Sequence, residues 1–253
     1  ENTKGEAEAG QEELNIRYDA ALNTAEYHTI AKHAAKEIGW QQGRAASFLP
    51  KWHEDKVGSA SHVHMSLWKD GTPAFYDPEA DLGMSATMRA FTGGLLTYLS
   101  DYTVLFAPYV NSYKRFKVGS FAPTRKVWSV DNRTAAYRLC GDGSKGIRME
   151  CRLPGADMNP YLTIAGMLAA GLAGIEQGLD CGDPSAGDAY AGNDDQIPMT
   201  LRAATEALRG SDMLRAAFGD EVVDHYARAA EWEQQAFDAV VTDWEIARGF
   251  ERA

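Results

Sequence analysis

The hydrophobic pattern of this chain changes period near residue 155. Short runs that alternate every second residue concentrate before that point, and after it apolar positions recur at helical spacing. The clearest alternation is Ile147-Arg148-Met149-Glu150-Cys151-Arg152-Leu153. In a strand, successive side chains point to opposite faces, so Ile147, Met149, Cys151 and Leu153 are expected in a core. Arg148, Glu150 and Arg152 then share the other face. Residues 12–18 alternate Leu14, Ile16 and Tyr18 against Glu13, Asn15 and Arg17, which predicts a strand; 45–52 and 61–68 also read as strands. Lys69-Asp70-Gly71 is the expected turn after the last of these. A helix is predicted from Thr24 as N-cap, through Ile30, His33, Ala34 and Ile38, to about Gly43. A second covers 85–100, with a break after Tyr102. The Ala/Gly/Leu-rich run 159–178, with Pro160 near its start, reads as a buried, closely packed helix. A Gly/Asp/Pro-rich loop follows over 180–198. Helices are expected at 200–209 and 211–218, then one long helix over 221–250. Strands first and helices after favour an α+β fold over regular βαβ winding.

Composition narrows the function classes. The chain has 253 residues, is 45% hydrophobic, and carries 25 Lys plus Arg against 36 Asp plus Glu, for a net charge of -11. So acidic a surface repels phosphate backbones, which argues against nucleic acid as a partner. No run approaches the length of a membrane span, so no membrane role is expected. Cys140, Cys151 and Cys181 fit no CxxC spacing and read as free thiols of a cytoplasmic protein. The chain opens on a motif-like run at Glu1, which reads as the middle of a larger protein.

Several residues could carry chemistry. His62, His64 and Ser66 fall on one face of the strand 61–68, and histidines at that spacing can ligate one metal or split between metal and substrate. Alone, HxH is weak evidence and more often marks exposed or core-satisfied histidines than ligands; a metal-dependent amidohydrolase would need further histidines, and downstream there is only His225. Glu6 and Glu13 flank Gly10-Gln11, and glutamate ligation suits Mg²⁺ or Mn²⁺, although glutamates in an acidic chain also make ordinary surface. Arg115, Arg133, Arg138, Arg148 and Arg152 form a dense set with Lys145. Arginine forks match carboxylates and phosphates, so the set reads either as an ion-pair network or as a site for phosphoryl transfer to or from a carboxylate.

Six blocks then occur in a recognisable order and spacing: GQEE (10–13), GSASHVHMSL (58–67), NSYKR (111–115), DNRTAAYRL (131–139), RMECRLP (148–154) and NPYL (159–162). Over nearly its whole length the chain resembles the glutamine synthetase superfamily. The resemblance implies a curved, largely antiparallel sheet backed by helices, and an ATP-dependent reaction in which glutamate's γ-carboxylate is phosphorylated and an amine displaces the phosphate. It implies Glu6 and Glu13 as ligands of one divalent metal, Mg²⁺ or Mn²⁺, and His62 and Glu150 as ligands of a second. It implies nucleotide contacts from His64, Ser66, Arg133, Arg138 and Lys145. Glutamate contacts are implied for Arg115 and Arg152 and a substrate loop for Gly58, with Arg133 also touching the transferring phosphate. The full-length parent is expected to be a homo-oligomer of stacked rings. Residues 1–253 would be a catalytic domain lacking the family's small N-terminal β-grasp domain and first catalytic strand, and alone would be inactive.

The chain also departs from the family pattern. Ammonium-using members carry a glutamate in the flap after NSYKR, and here that slot is Phe121, in GSFAP. Phenylalanine cannot act as a base there but can contact an organic amine. The asparagine before the loop glycine is replaced by Val57. The C-terminal TDWEIARGFERA (242–253) is similar to the tail of γ-glutamyl-polyamine synthetases. The tyrosine-modification motif is not matched around Tyr190, so no regulatory adenylylation is implied. The expected reaction is ligation of glutamate to an organic amine or polyamine. The alternatives are an ammonium-using glutamine synthetase and, in another class, an inactive nucleotide-binding paralogue.

Overall fold

The computed structural model describes residues 2–252. Strands β1 (Asn2–Gly5) and β2 (Glu12–Asn15) form an antiparallel hairpin. The expected strand to Tyr18 thus stops at Asn15, and residues 16–20 are irregular. Helix α1 (Ala21–Gln41) starts ahead of Thr24. The Ala20 amide donates to Asp19 Oδ1 (2.6 Å), and the Thr24 hydroxyl donates to the Asp19 carbonyl instead of capping. The helix ends where predicted, with Gly43 at φ 67. Residues 45–52 are not a strand. Pro50 interrupts the run, Leu49 and Trp52 stay exposed, and no neighbouring strand pairs with it.

The expected strand 61–68 divides into β3 (Val63–Met65) and β4 (Trp68–Lys69), which turns at Asp70-Gly71 into β5 (Thr72–Pro73). Both turn residues have positive φ, 51 and 75, as tight hairpins require. The apolar helix is α2 (Ala86–Thr97) followed by α3 (Leu99–Phe106), so the chain stays helical through Tyr102. Leu99, Tyr102 and Phe106 are buried together, and that packing carries the helix onward. Helix α4 (Val110–Tyr113) leads into the flap, and β6 (Trp128–Val130), β7 (Tyr137–Cys140) and β8 (Arg148–Cys151) complete the sheet. Helix α5 (Pro160–Gln177) has Asn159 as N-cap, Pro160 at its first turn and Gly178 in the left-handed region at its end. Helices α6 (Leu201–Arg209) and α7 (Asp212–Phe218) begin at the capping hydroxyls of Thr200 and Ser211. The long C-terminal helix is two, α8 (Asp220–Asp238) and α9 (Asp243–Gly249). Thr242 and Glu245 form a capping box that restarts the helix after Val240 and Val241.

The main sheet has the order β3-β8-β7-β6. β8 pairs antiparallel with β3 and β7, and β6 runs parallel to β7. The return loop 131–136 makes that parallel pairing possible, with Asp131 at φ 46. Tyr137, Leu139, Ile147, Met149, Cys151 and Leu153 face a core shared with Phe91, Leu95, Tyr102 and Phe106. The alternation read around Glu150 is therefore the alternation observed. Each such side chain contributes roughly 1.5–3 kcal/mol on burial, which fixes the register of β8: a slip by one residue would turn Glu150 into the core. Helices α2 and α5 cross at glycines. A Cβ on Gly94 would lie 2.1 Å from the Ala170 carbonyl, and one on Gly174 would lie 2.3 Å from the Ala90 carbonyl. The fold is α+β, with the sheet backed by helices.

Candidate active site

The outward face of the sheet gathers charge around one carboxylate. Glu150 lies on the central strand β8, opposite His64 on β3 and Arg138 on β7. Its Oε1 is 2.9 Å from Arg152 Nη1, 3.2 Å from His62 Nδ1 and 3.8 Å from His64 Nε2. Its Oε2 is 3.1 Å from Arg138 Nη1. Glu150 is 3% exposed. Burial pushes its carboxyl up, but the His62 hydrogen bond and the charges of His62, Arg152 and His64 outweigh it and hold Glu150 well below the usual carboxylate range. The imidazoles of His62 and His64 are both lowered, first by burial, with Glu150 opposing. The face therefore presents an ionised glutamate set between two imidazoles and two guanidinium groups. Arg148 extends it by donating from Nε to His64 Nδ1 (3.3 Å).

The surroundings hold these groups in place. Arg138 also grips Asp131 through Nε (2.9 Å). Arg152 donates from Nε to the Arg133 carbonyl (3.0 Å), tying β8 to the return loop. Cys140 Sγ lies 4.0 Å from Glu150 Oε2, and burial raises its thiol. Sequence reasoning missed Asp131 and Cys140. Asp131 opens the DNRTAAYRL block, but its pairing with Arg138 depends on a backbone turn that the residue letters do not announce.

The other predicted residues lie apart from Glu150. Arg115 is buried beneath the site and donates to the Leu153 carbonyl, while its Nε is buried with no hydrogen-bond partner among the described residues. Burial pulls its guanidinium down to about 10, with Asp157 opposing. Gly58 packs on it so tightly that a Cβ would meet Arg115 Cγ at 2.4 Å and the Pro50 carbonyl at 2.6 Å. Glu6 and Glu13 sit on the first hairpin with Lys4 Nζ between them, at 3.4 and 3.2 Å. Their proximity raises Glu6 and lowers Glu13, with Lys4 lowering both. Gln11, between them in sequence, reaches the Gly58 carbonyl at 3.1 Å. Ser66 accepts from Trp68 Nε1 (3.0 Å), and Lys145 is exposed in the loop 141–146.

A groove of ≈ 520 Å³ is lined by Phe121, by Ser129 to Thr134 and by Pro184 to Gly187. Phe121 is 60% exposed and has φ 56, an uncommon state for a bulky residue. Arg133 lies on the same groove, so phosphate-type and apolar recognition meet there.

The donor types at Glu150, His62, Glu6 and Glu13 suit a divalent ion. Among the described residues, however, no group of His, Cys, Asp or Glu side chains is arranged to hold one: His62 and His64 contact Glu150 directly, and its oxygens are engaged by arginines. The described residues do not complete a metal site.

The α+β scaffold thus carries an acid–histidine–arginine face on its main sheet. The chain belongs to the glutamine synthetase family: residues 1–249 match the glutamine synthetase catalytic domain. It is 49% identical, over all of its length and 54% of the relative, to a gamma-glutamylethanolamide synthetase of Streptomyces coelicolor. It is 38% identical to a glutamate–isopropylamine ligase of a Pseudomonas species, over 98% of this chain and 55% of the relative. A glutamine synthetase of Thermus thermophilus is also 38% identical, over 96% and 56%. The chain thus spans about half the length of the curated relatives it matches. A solved structure described as a GmaS/ADP complex superposes with TM-score 0.92 at 32% identity, over 99% of this chain and 59% of that one.

Proposed function

We propose that the full-length protein is an ATP-dependent ligase joining the γ-carboxylate of glutamate to an organic amine. In the reaction a γ-carboxylate oxygen attacks the terminal phosphorus of ATP and ADP leaves. The amine nitrogen then attacks the acyl carbon, phosphate leaves with the carboxylate's original oxygen, and the nitrogen releases a proton. Arg133, Arg138 and Arg152 carry the positive charge that suits phosphoryl and acyl-phosphate oxygens. The glutamate, ATP and divalent-metal requirements follow from membership of the family, and relatives named for ethanolamine and isopropylamine products support an organic acceptor.

The observation that carries the acceptor reading is Phe121, exposed on the groove that Arg133 also lines. An aromatic face offers an alkyl chain a contact and an ammonium group a cation–π partner, and it cannot take a proton from ammonium. Glutamate labelled with ¹⁸O in its γ-carboxylate tests the route on the full-length protein. The expected result is transfer of label to inorganic phosphate, dependent on a small alkylamine. Phosphate release without label, or with no need for glutamate, would refute it.

A further inference from the structure

The exposed Phe121 ring needs something to hold it, because its own backbone does not favour the conformation. Gly119 at φ 80 and Phe121 at φ 56 put two left-handed residues in the flap, on either side of Ser120. A bulky residue there costs roughly 1–2 kcal/mol, so contacts from elsewhere must fix the geometry. Ser120 Oγ satisfies the Lys117 carbonyl at 2.5 Å, within the flap itself. The next anchor comes from the distant loop 180–198: the Tyr190 hydroxyl donates to the carbonyl of Ala122 at 3.0 Å. Ala122 is 2% exposed and directly follows Phe121.

Tyr190 is itself well founded. It lies in a short helical turn, Ala189–Ala191, started by Asp188, whose Oδ1 accepts from the Tyr190 amide at 3.0 Å. Ala189 packs with Val127 and Ala135 in a small buried cluster, and its amide donates to Thr134 Oγ1 at 3.0 Å. The same loop is fastened along the groove by Asn132 Nδ2 to the Gly187 carbonyl (2.6 Å) and Ser129 Oγ to the Ser185 carbonyl (2.6 Å). One wall of the groove thus belongs to this loop, which also pairs with residues 124–126 through Ile197, Asp194 and Asp195, and the Tyr190 hydroxyl carries that attachment up to the residue next to Phe121. We infer that Tyr190 is a positioning residue that latches the flap through the Ala122 carbonyl and so sets how Phe121 selects the amine acceptor. The selectivity half of this inference rests on the ligase reading above; the latch itself does not.

Tyr190→Phe in the full-length protein tests both halves, since it keeps the ring and removes only the hydroxyl. Two readouts are compared with wild type at matched thermal stability. The first is amide hydrogen exchange of residues 119–122. The second is the ratio of kcat/KM for isopropylamine to that for ammonium, which is readable whichever acceptor the wild type prefers. The latch predicts exchange about 3- to 10-fold faster in the variant, the worth of one ordinary hydrogen bond. It also predicts a severalfold shift in the acceptor ratio, through the amine KM, with the KM values for ATP and glutamate unchanged. Unchanged exchange would overturn the latch. Faster exchange with an unchanged ratio would overturn its role in selectivity. A wild type that strongly prefers ammonium would sink the organic-amine reading while leaving both readouts to judge Tyr190.

Discussion

Two regions meet at Arg133 and are built on opposite principles. The outward face of β8 is buried, charge-saturated and held by cross-strand register, so each group there has several partners. The flap over 117–123 is exposed, strained at Phe121 and fixed by a few hydrogen bonds. Arg133 belongs to both: its carbonyl takes the Arg152 hydrogen bond, and it lines the groove with Phe121. The difference separates two tasks. Chemistry common to a family needs preorganised charge that does not move. Choice of acceptor needs a surface that one substitution can alter without unfolding the sheet.

The largest expected effect is on the rigid side. Glu150→Gln leaves Arg138 and Arg152 without their shared counter-charge, so kcat/KM for every amine should fall by at least about 100-fold. Denaturant melts should show a loss of about 3 kcal/mol, the cost of breaking a buried ion pair. A stable, active variant would show that the charged face is ordinary surface. Phe121→Gly should do the reverse on the flap. Relief of the left-handed strain predicts stability equal to wild type or higher by up to about 1 kcal/mol. The kcat/KM for alkylamines should drop about 10-fold, while that for ammonium changes little. Equal losses for both acceptors would erase the distinction between the regions.

Gly58→Ala sharpens the comparison from beneath. Its new methyl would collide with Arg115 and the Pro50 carbonyl, which predicts about 1–3 kcal/mol of destabilisation. A neutral result would show that the layer under the site is loose. The smallest effect concerns His28, whose Nε2 lies 3.2 Å from Ser61 Oγ, just before the HxH strand. Burial, helped by Lys32, pulls its imidazole down to about 4, below the unfolded value of about 6.5. The unfolded chain therefore binds the proton first. Stability from keeping His28 neutral is complete above pH about 6.5, declines as pH falls toward 4, and levels off below. The slope cannot exceed about 1.4 kcal/mol per pH unit. Denaturation midpoints of wild type minus His28→Gln should trace this window, and a flat difference would contradict it.

The two regions were also unequally legible in the sequence. The β8 alternation was readable because a strand with one buried face must repeat every two residues, and Glu150 fell where that period put it. His62 and His64 followed by the same rule. The run 45–52 misled because it is apolar without a partner strand, and pairing is a property of the neighbour. Thr242 and Glu245 spell a capping box, but the helical periodicity on either side of it masks the break. The parallel pairing of β6 with β7 hangs on the turn at Asp131, and the Tyr190–Ala122 hydrogen bond joins residues far apart in sequence. Contacts of that kind are set by the packed fold, not by local pattern.

The central claim is that Phe121 commits the groove to an organic acceptor, and a competition experiment addresses it most directly. The full-length protein is given glutamate, ATP and equimolar ammonium and isopropylamine, and the products are counted by mass spectrometry. Wild type should yield γ-glutamyl isopropylamide over glutamine by at least about 10-fold, a transition-state preference of about 1.4 kcal/mol, and Phe121→Glu should narrow or reverse that ratio. Glutamine as the main product of the wild type would contradict the account.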